Sequence, residues 1–120
     1  MLYSILCYND EAMVRAWSKE KDAAVMAHHE VVLNKLTAQG KLGAVARLMP
    51  TTTATTLRES AAPVVIDGPF AETKEQLLGF YLVDCANLEE AIEIARPLFV
   101  EGGALEIRPV QYFNPGSGAK

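Results

Sequence analysis

An α+β fold is what this sequence predicts, and three observations predict it. Two segments, Lys19–Gln39 and Asn87 to about Arg96, carry apolar residues at three- and four-residue steps, the period of a helix. Short runs of strand character, alternating or continuously apolar, flank and separate them. Turn-forming clusters punctuate the remainder: Glu59-Ser60-Ala61-Ala62-Pro63, Asp67-Gly68-Pro69-Phe70 and Gly102-Gly103.

The first element, residues 2–8, is apolar on both of its alternating faces, with Tyr3, Ile5 and Cys7 on one side and Leu2, Leu6 and Tyr8 on the other. That pattern predicts a central strand. Without a basic leader before it, the run reads as a strand and not as a signal peptide. Residues 9–18 read as a loop anchored by Trp17, and Ser18 can cap the helix that follows. In that helix Val25, Met26, His29, Val32, Leu33 and Leu36 form the apolar stripe, and Gly40 closes it. A short strand, Gly43–Leu48, ends at Pro50. Two β-prone stretches, Thr52–Arg58 and Val64–Ile66, form a hairpin across the Glu59–Pro63 turn. Leu77–Cys85 is almost continuously apolar and predicts a fully buried strand. Asn87 caps the second helix, with Glu90 three residues on, and Pro97 ends it. The last strand, Ala104–Val110, contains Pro109, which belongs at a sheet edge or strand end.

The order is β-α-β-(ββ)-β-α-β. With the hairpin set aside, this is a ferredoxin-like βαββαβ unit. Two helices cover one face of such a sheet. The other face, apolar here, calls for a second copy, so a homodimer burying sheet against sheet is expected. One domain is expected over residues 1–113, with a disordered tail from 114 to 120.

Composition narrows the function. A net charge of −4 with scattered Lys and Arg argues against a nucleic-acid partner. No apolar run has the length of a membrane span. Cys7 and Cys85 sit in strand-like runs and read as thiols of a cytoplasmic protein, not as a disulfide. No spacing of Cys and His suggests a metal, and no phosphate-binding loop implies a cofactor.

Six residues could carry chemistry. His29 lies near the centre of the apolar stripe and faces the sheet, whereas His28 points toward the polar side. An inward histidine is either a core residue with a hydrogen-bond partner or a general acid–base. Asp67, at a strand end before a rigid turn, is either a turn residue or a carboxylate lining a pocket, and Phe70 would anchor that turn in the core. Arg47, amid apolar neighbours, needs an anionic partner: Asp67, a glutamate or a ligand. Tyr8 and Tyr81 can offer hydroxyls, and Lys74 lies in a charged loop.

The run Asp67-Gly68-Pro69-Phe70-Ala71-Glu72-Thr73-Lys74-Glu75-Gln76-Leu77, continued by Gly79-Phe80-Tyr81-Leu82-Val83-Asp84, resembles the signature of the DGPF branch of the YCII-related family. The opening Tyr8-Asn9-Asp10-Glu11, the phrase Thr53–Arg58 and the close Gly102–Val110 agree with it. The resemblance implies a dimeric α/β barrel built from ferredoxin-like protomers. It implies an active-site histidine on the first helix paired with an acidic residue. His29 matches by its spacing from Gly40. The end of that helix, Leu36-Thr37-Ala38-Gln39, has no carboxylate to match that acidic residue, and Asp67 is taken as the candidate partner on the expectation that the fold brings it near. Some relatives are lyase-like enzymes on small ring compounds, and DGPF members often accompany sigma-factor genes. The expectation is a cofactor-free acid–base enzyme using His29 and Asp67, with Arg47, Lys74, Tyr8 and Tyr81 binding a small molecule. The alternative is a non-catalytic ligand-binding or regulatory module associated with a sigma factor.

Overall fold

The computed structural model describes residues 1–117. Four strands form one antiparallel sheet: β1 (Leu2–Asn9), β2 (Leu42–Arg47), β5 (Gln76–Asp84) and β6 (Ala104–Pro109), in the order β2-β5-β1-β6. Between β2 and β5 the chain forms a separate two-stranded ladder, β3 (Thr55–Arg58) with β4 (Val64–Asp67). The helices are α1 (Glu11–Arg15), α2 (Lys19–Ala38) and α3 (Leu88–Ala95). The fold is α+β, and this strand order and direction are compatible with a ferredoxin-like arrangement.

β1 takes the central place its two apolar faces predict, between β5 and β6, and β6 with Pro109 is an edge. The helices cover one face. There Tyr3 and Ile5 of β1, Tyr81 and Val83 of β5, Leu36 of α2 and Ala91 and Ala95 of α3 close the core, with Leu98 behind α3. Ile5, Val83 and Leu98 are fully enclosed. The strand predicted to be buried throughout is buried only on this face. Phe80 and Leu82 on the other face are half-exposed, because no layer formed by the described residues lies over them.

Local chemistry sets the helix ends. Ser18 Oγ accepts from the Lys21 amide at the start of α2. At its end Gly40 N–H bonds the Thr37 carbonyl and Lys41 N–H the Leu36 carbonyl, a Schellman closure. Asn87 caps α3 through the Glu90 amide, while Glu90 Oε1 reaches back to the Ala86 amide. The 9–18 segment is not only a loop: Asp10 accepts from the amides of Ala12 and Met13 and starts the single-turn helix α1. The segment at 52–54 is likewise not strand. Thr51–Thr53 form a 3-10 turn, pinned when the Glu11 carboxylate accepts from both the amide and the hydroxyl of Thr51.

The β3–β4 ladder stands away from the sheet. Leu57, Val65 and Phe70 are 70%, 68% and 76% exposed, so Phe70 does not anchor its turn in the core. The reason is positional: among the described residues no helix packs substantially over this arm. Its turn is held instead by the Gly68 amide on the Ala54 carbonyl and by Thr56 Oγ1 on the Gly68 carbonyl, both 2.7 Å. Gly68 has φ of 103°, a conformation that favours glycine. The molecule is less compact than its length allows: its radius of gyration is 16.0 Å, against roughly 13.5 Å for a compact chain of this length. Cys7 is half-buried, Cys85 buried, and both are free. Residues 114–117 have no regular structure, and the rest of the expected tail, 118–120, lies outside the described residues.

Candidate functional site

A cavity of about 260 Å³ opens between α2 and the helix-facing side of the sheet. It exists because α2 approaches the sheet closely only at its later turns. Leu36 is buried there, whereas Met26, nearly three turns earlier on the same stripe, is 42% exposed. Val25, Met26 and Leu33 from α2, Val45 from β2, and Leu98 and Leu105 give the cavity apolar walls. Its volume falls just below the range of roughly 300–1,000 Å³ common for drug-sized ligands.

His29 faces this cavity. Its Nδ1 lies 2.9 Å from the Tyr81 hydroxyl, and the rings meet edge to face. Its Nε2 is buried and has no hydrogen-bond partner among the described residues. Burial lowers the His29 pKa first, then the neighbouring His28 charge, and Arg47 adds to this against the opposing Leu98 carbonyl. The imidazole is therefore held neutral at neutral pH, with Nδ1 oriented by Tyr81 and Nε2 enclosed on the Leu98 side. Burial pushes the Tyr81 hydroxyl up to about 12 and the Cys7 thiol up to about 11. Both keep their protons near neutrality, so Tyr81 can donate or accept toward Nδ1, and Cys7 is not a thiolate nucleophile.

Arg47 stands on the same side, opposite Gly79 of β5. Its ionic partner is neither Asp67 nor a glutamate but Asp22 of α2, 3.0 Å away. Tyr8 lines the cavity and also bonds Glu106 at 3.2 Å. Of the residues singled out from the sequence, His29, Arg47, Tyr8 and Tyr81 meet at this cavity. Asp67 and Lys74 do not line it. Both are exposed, Asp67 at the end of β4 opposite Thr55 and Lys74 in the loop before β5. His28 is exposed, as its place on the wheel predicts, yet its Nε2 bonds the Pro97 carbonyl at 2.7 Å and ties α2 to the turn after α3.

The structure adds residues to the site. Cys7 shares the helix-facing side of β1 with Tyr3 and Ile5. Asn9, at the end of β1, is buried and donates to the Glu101 carbonyl, fastening the Glu101–Gly103 turn at the cavity rim. Asp22 was legible in spacing alone: it precedes His29 by seven residues, two helical turns, and so shares its face. Trp17 and Val14 line the cavity from the α1 segment.

Residues 1–114 match the YCII-related domain. The chain belongs to the YCII-related family. It is similar to the uncharacterized protein R00369 of Rhizobium meliloti (strain 1021), 57% identical over 120 residues, which cover 97% of each chain. Among the described residues no helix is long and apolar enough to cross a membrane, and no group of three or more His, Cys, Asp or Glu is placed to hold a metal ion.

Proposed function

We propose that this protein is a cofactor-free acid–base enzyme for a small molecule, with His29 as the base. One observation carries the reading: a histidine held neutral, its Nδ1 fixed by Tyr81 and its Nε2 buried without a close hydrogen-bond partner, stands in the wall of an apolar cavity. A buried nitrogen without a partner is costly in a purely structural role, where packing would normally supply one. In this reading Nε2 takes a proton from a C–H bond next to an electron-withdrawing group. The electron pair then moves into a new double bond. Either the proton returns at another carbon, an isomerisation, or a leaving group departs with its electrons, an elimination. Tyr81 orients the imidazole. Asp67 and Lys74, exposed and outside this cavity, take no part in the proposed step.

The protomer is proposed to act as a ferredoxin-like unit with the β3–β4 hairpin inserted, in a homodimer that buries the uncovered sheet face. Half-exposed Leu6, Phe80 and Leu82 on that face support this. Two free cysteines support a reducing compartment, the cytoplasm.

The test is proton exchange in heavy water. A panel of small cyclic ketones and lactones is followed by NMR for deuterium uptake. Exchange above the buffer rate, falling roughly 10²- to 10⁴-fold in His29→Gln, is expected. Equal exchange by both proteins would sink the reading. A second reading, a non-catalytic module that binds a partner such as a sigma factor, is favoured by the exposed apolar arm. It predicts a partner lost on Val65→Glu, with no exchange activity in either protein.

A further inference from the structure

Beside the cavity lies a second, more open depression of about 330 Å³, lined by Val14, Arg15, Trp17, Lys19, Asp22 and Arg47 among others. The two spaces share Val14, Trp17 and Arg47 as a common wall. They differ in chemistry: the inner one is largely apolar, while the outer one sets Arg15, Lys19 and Arg47 against the single carboxylate of Asp22. Such an excess of cations is local, since the chain as a whole carries a net charge of −4.

Arg47 stands at the junction. One guanidinium nitrogen, Nη2, bonds Asp22. Among the described residues no other acceptor engages it, although a guanidinium presents five N–H donors suited to a two-pronged carboxylate contact. The Arg47–Asp22 pair is exposed and therefore weak. Glu30, next to His29, also lines the inner cavity and disfavours a negative group there, which leaves the Arg47 end for it.

We infer that the site takes a compact carboxylate with an apolar body: the body fills the inner cavity and the carboxylate replaces Asp22 on Arg47. This deepens the reading above by naming the substrate class, and it rests on the cavity being the ligand site, though not on His29 acting as a base.

Trp17 is the single tryptophan of the chain and lines both spaces, so its fluorescence reports occupancy. The full-length protein is titrated with benzoate and with its neutral isostere benzamide. Benzoate is expected to give a saturable change with a Kd roughly tenfold or more below that of benzamide. Arg47→Gln should erase this preference. Asp22→Asn, which removes the competing carboxylate, should tighten benzoate by roughly two- to fivefold. That opposite sign keeps the test decisive even if Arg47→Gln folds poorly. Equal binding of the two probes, no saturable response to benzoate, or weaker binding by Asp22→Asn overturns the inference. The two readings fail separately: His29-dependent exchange with charge-blind binding removes only the carboxylate seat, and charge-selective binding without exchange removes only the base.

Discussion

Tyr81 holds His29. The phenol rises from the middle of β5, flanked by Ile5 on β1 and Val45 on β2, and meets Nδ1 at 2.9 Å. Because the sheet fixes Tyr81, the imidazole on α2 inherits its orientation. In Tyr81→Phe the ring volume stays and the hydrogen bond goes, leaving Nδ1 unpaired. Stability should fall by about 1–3 kcal/mol in urea unfolding. The 15N shifts of His29 should move toward those of a freely exchanging tautomer pair. Unchanged shifts would mean that the phenol does not select the tautomer.

The depressed His29 pKa sets a pH dependence. The folded protein resists protonation that the unfolded chain accepts near the ordinary histidine value. As pH falls below about 6.5, the unfolded state binds more protons and stability drops. Above that value the contribution is constant. Urea unfolding between pH 5 and 8 should show this acid-side loss in the native protein, and a smaller one in His29→Gln.

What could be read from the sequence was mostly local. Ser18, Gly40 and Asn87 act through amides within a few residues, so their chemistry announces the helix ends without tertiary knowledge. β1 was legible as central because a strand apolar on both faces has few other places to go. The inward turn of His29 followed from the helical period. The rest depends on distant packing. Five residues of α1 are too few to show a period, and only Asp10 marks the start. Phe70 is as apolar as any core residue, but the arm that carries it has no layer to pack against. Arg47 could have reached several carboxylates, and only the closeness of α2 to β2 selects Asp22.

Glu11 clamps α1 to the 3-10 turn. It is buried, and its carboxylate accepts from the Thr51 hydroxyl and amide. The Thr51 hydroxyl, then its amide and Arg15, hold the Glu11 pKa below its usual value against the opposing effect of burial. Its contribution is present above the unfolded carboxylate value and is lost as pH falls through the lower folded one. Glu11→Ala should cost about 1–2 kcal/mol at pH 7 and less at pH 3. Equal losses at both pH values would show that the clamp is not ionic.

Gly79 lets β2 lie close to β5 beside the site. A Cβ there would sit 2.3 Å from the Ala46 carbonyl oxygen, a contact only backbone movement can relieve. Gly79→Ala should therefore cost about 1–3 kcal/mol and displace Arg47, its cross-strand neighbour. Benzoate selectivity should weaken together with stability. A stable variant with native selectivity would show that the strands can part without moving the site.

The proposed dimer makes a prediction on the far side of the sheet. Leu82 pairs with Ser4 across β1 and sits on the face no helix covers, half-exposed in the single chain. A carboxylate there costs little in a monomer, where water reaches it, but in a sheet-to-sheet dimer it would be buried without a partner. Sedimentation velocity should find the native protein as a dimer and Leu82→Glu as a folded monomer, with circular dichroism unchanged. Val65→Glu on the arm gives the contrast. If the arm alone joined two copies, that variant would dissociate while Leu82→Glu would not, and the face-to-face arrangement would be wrong.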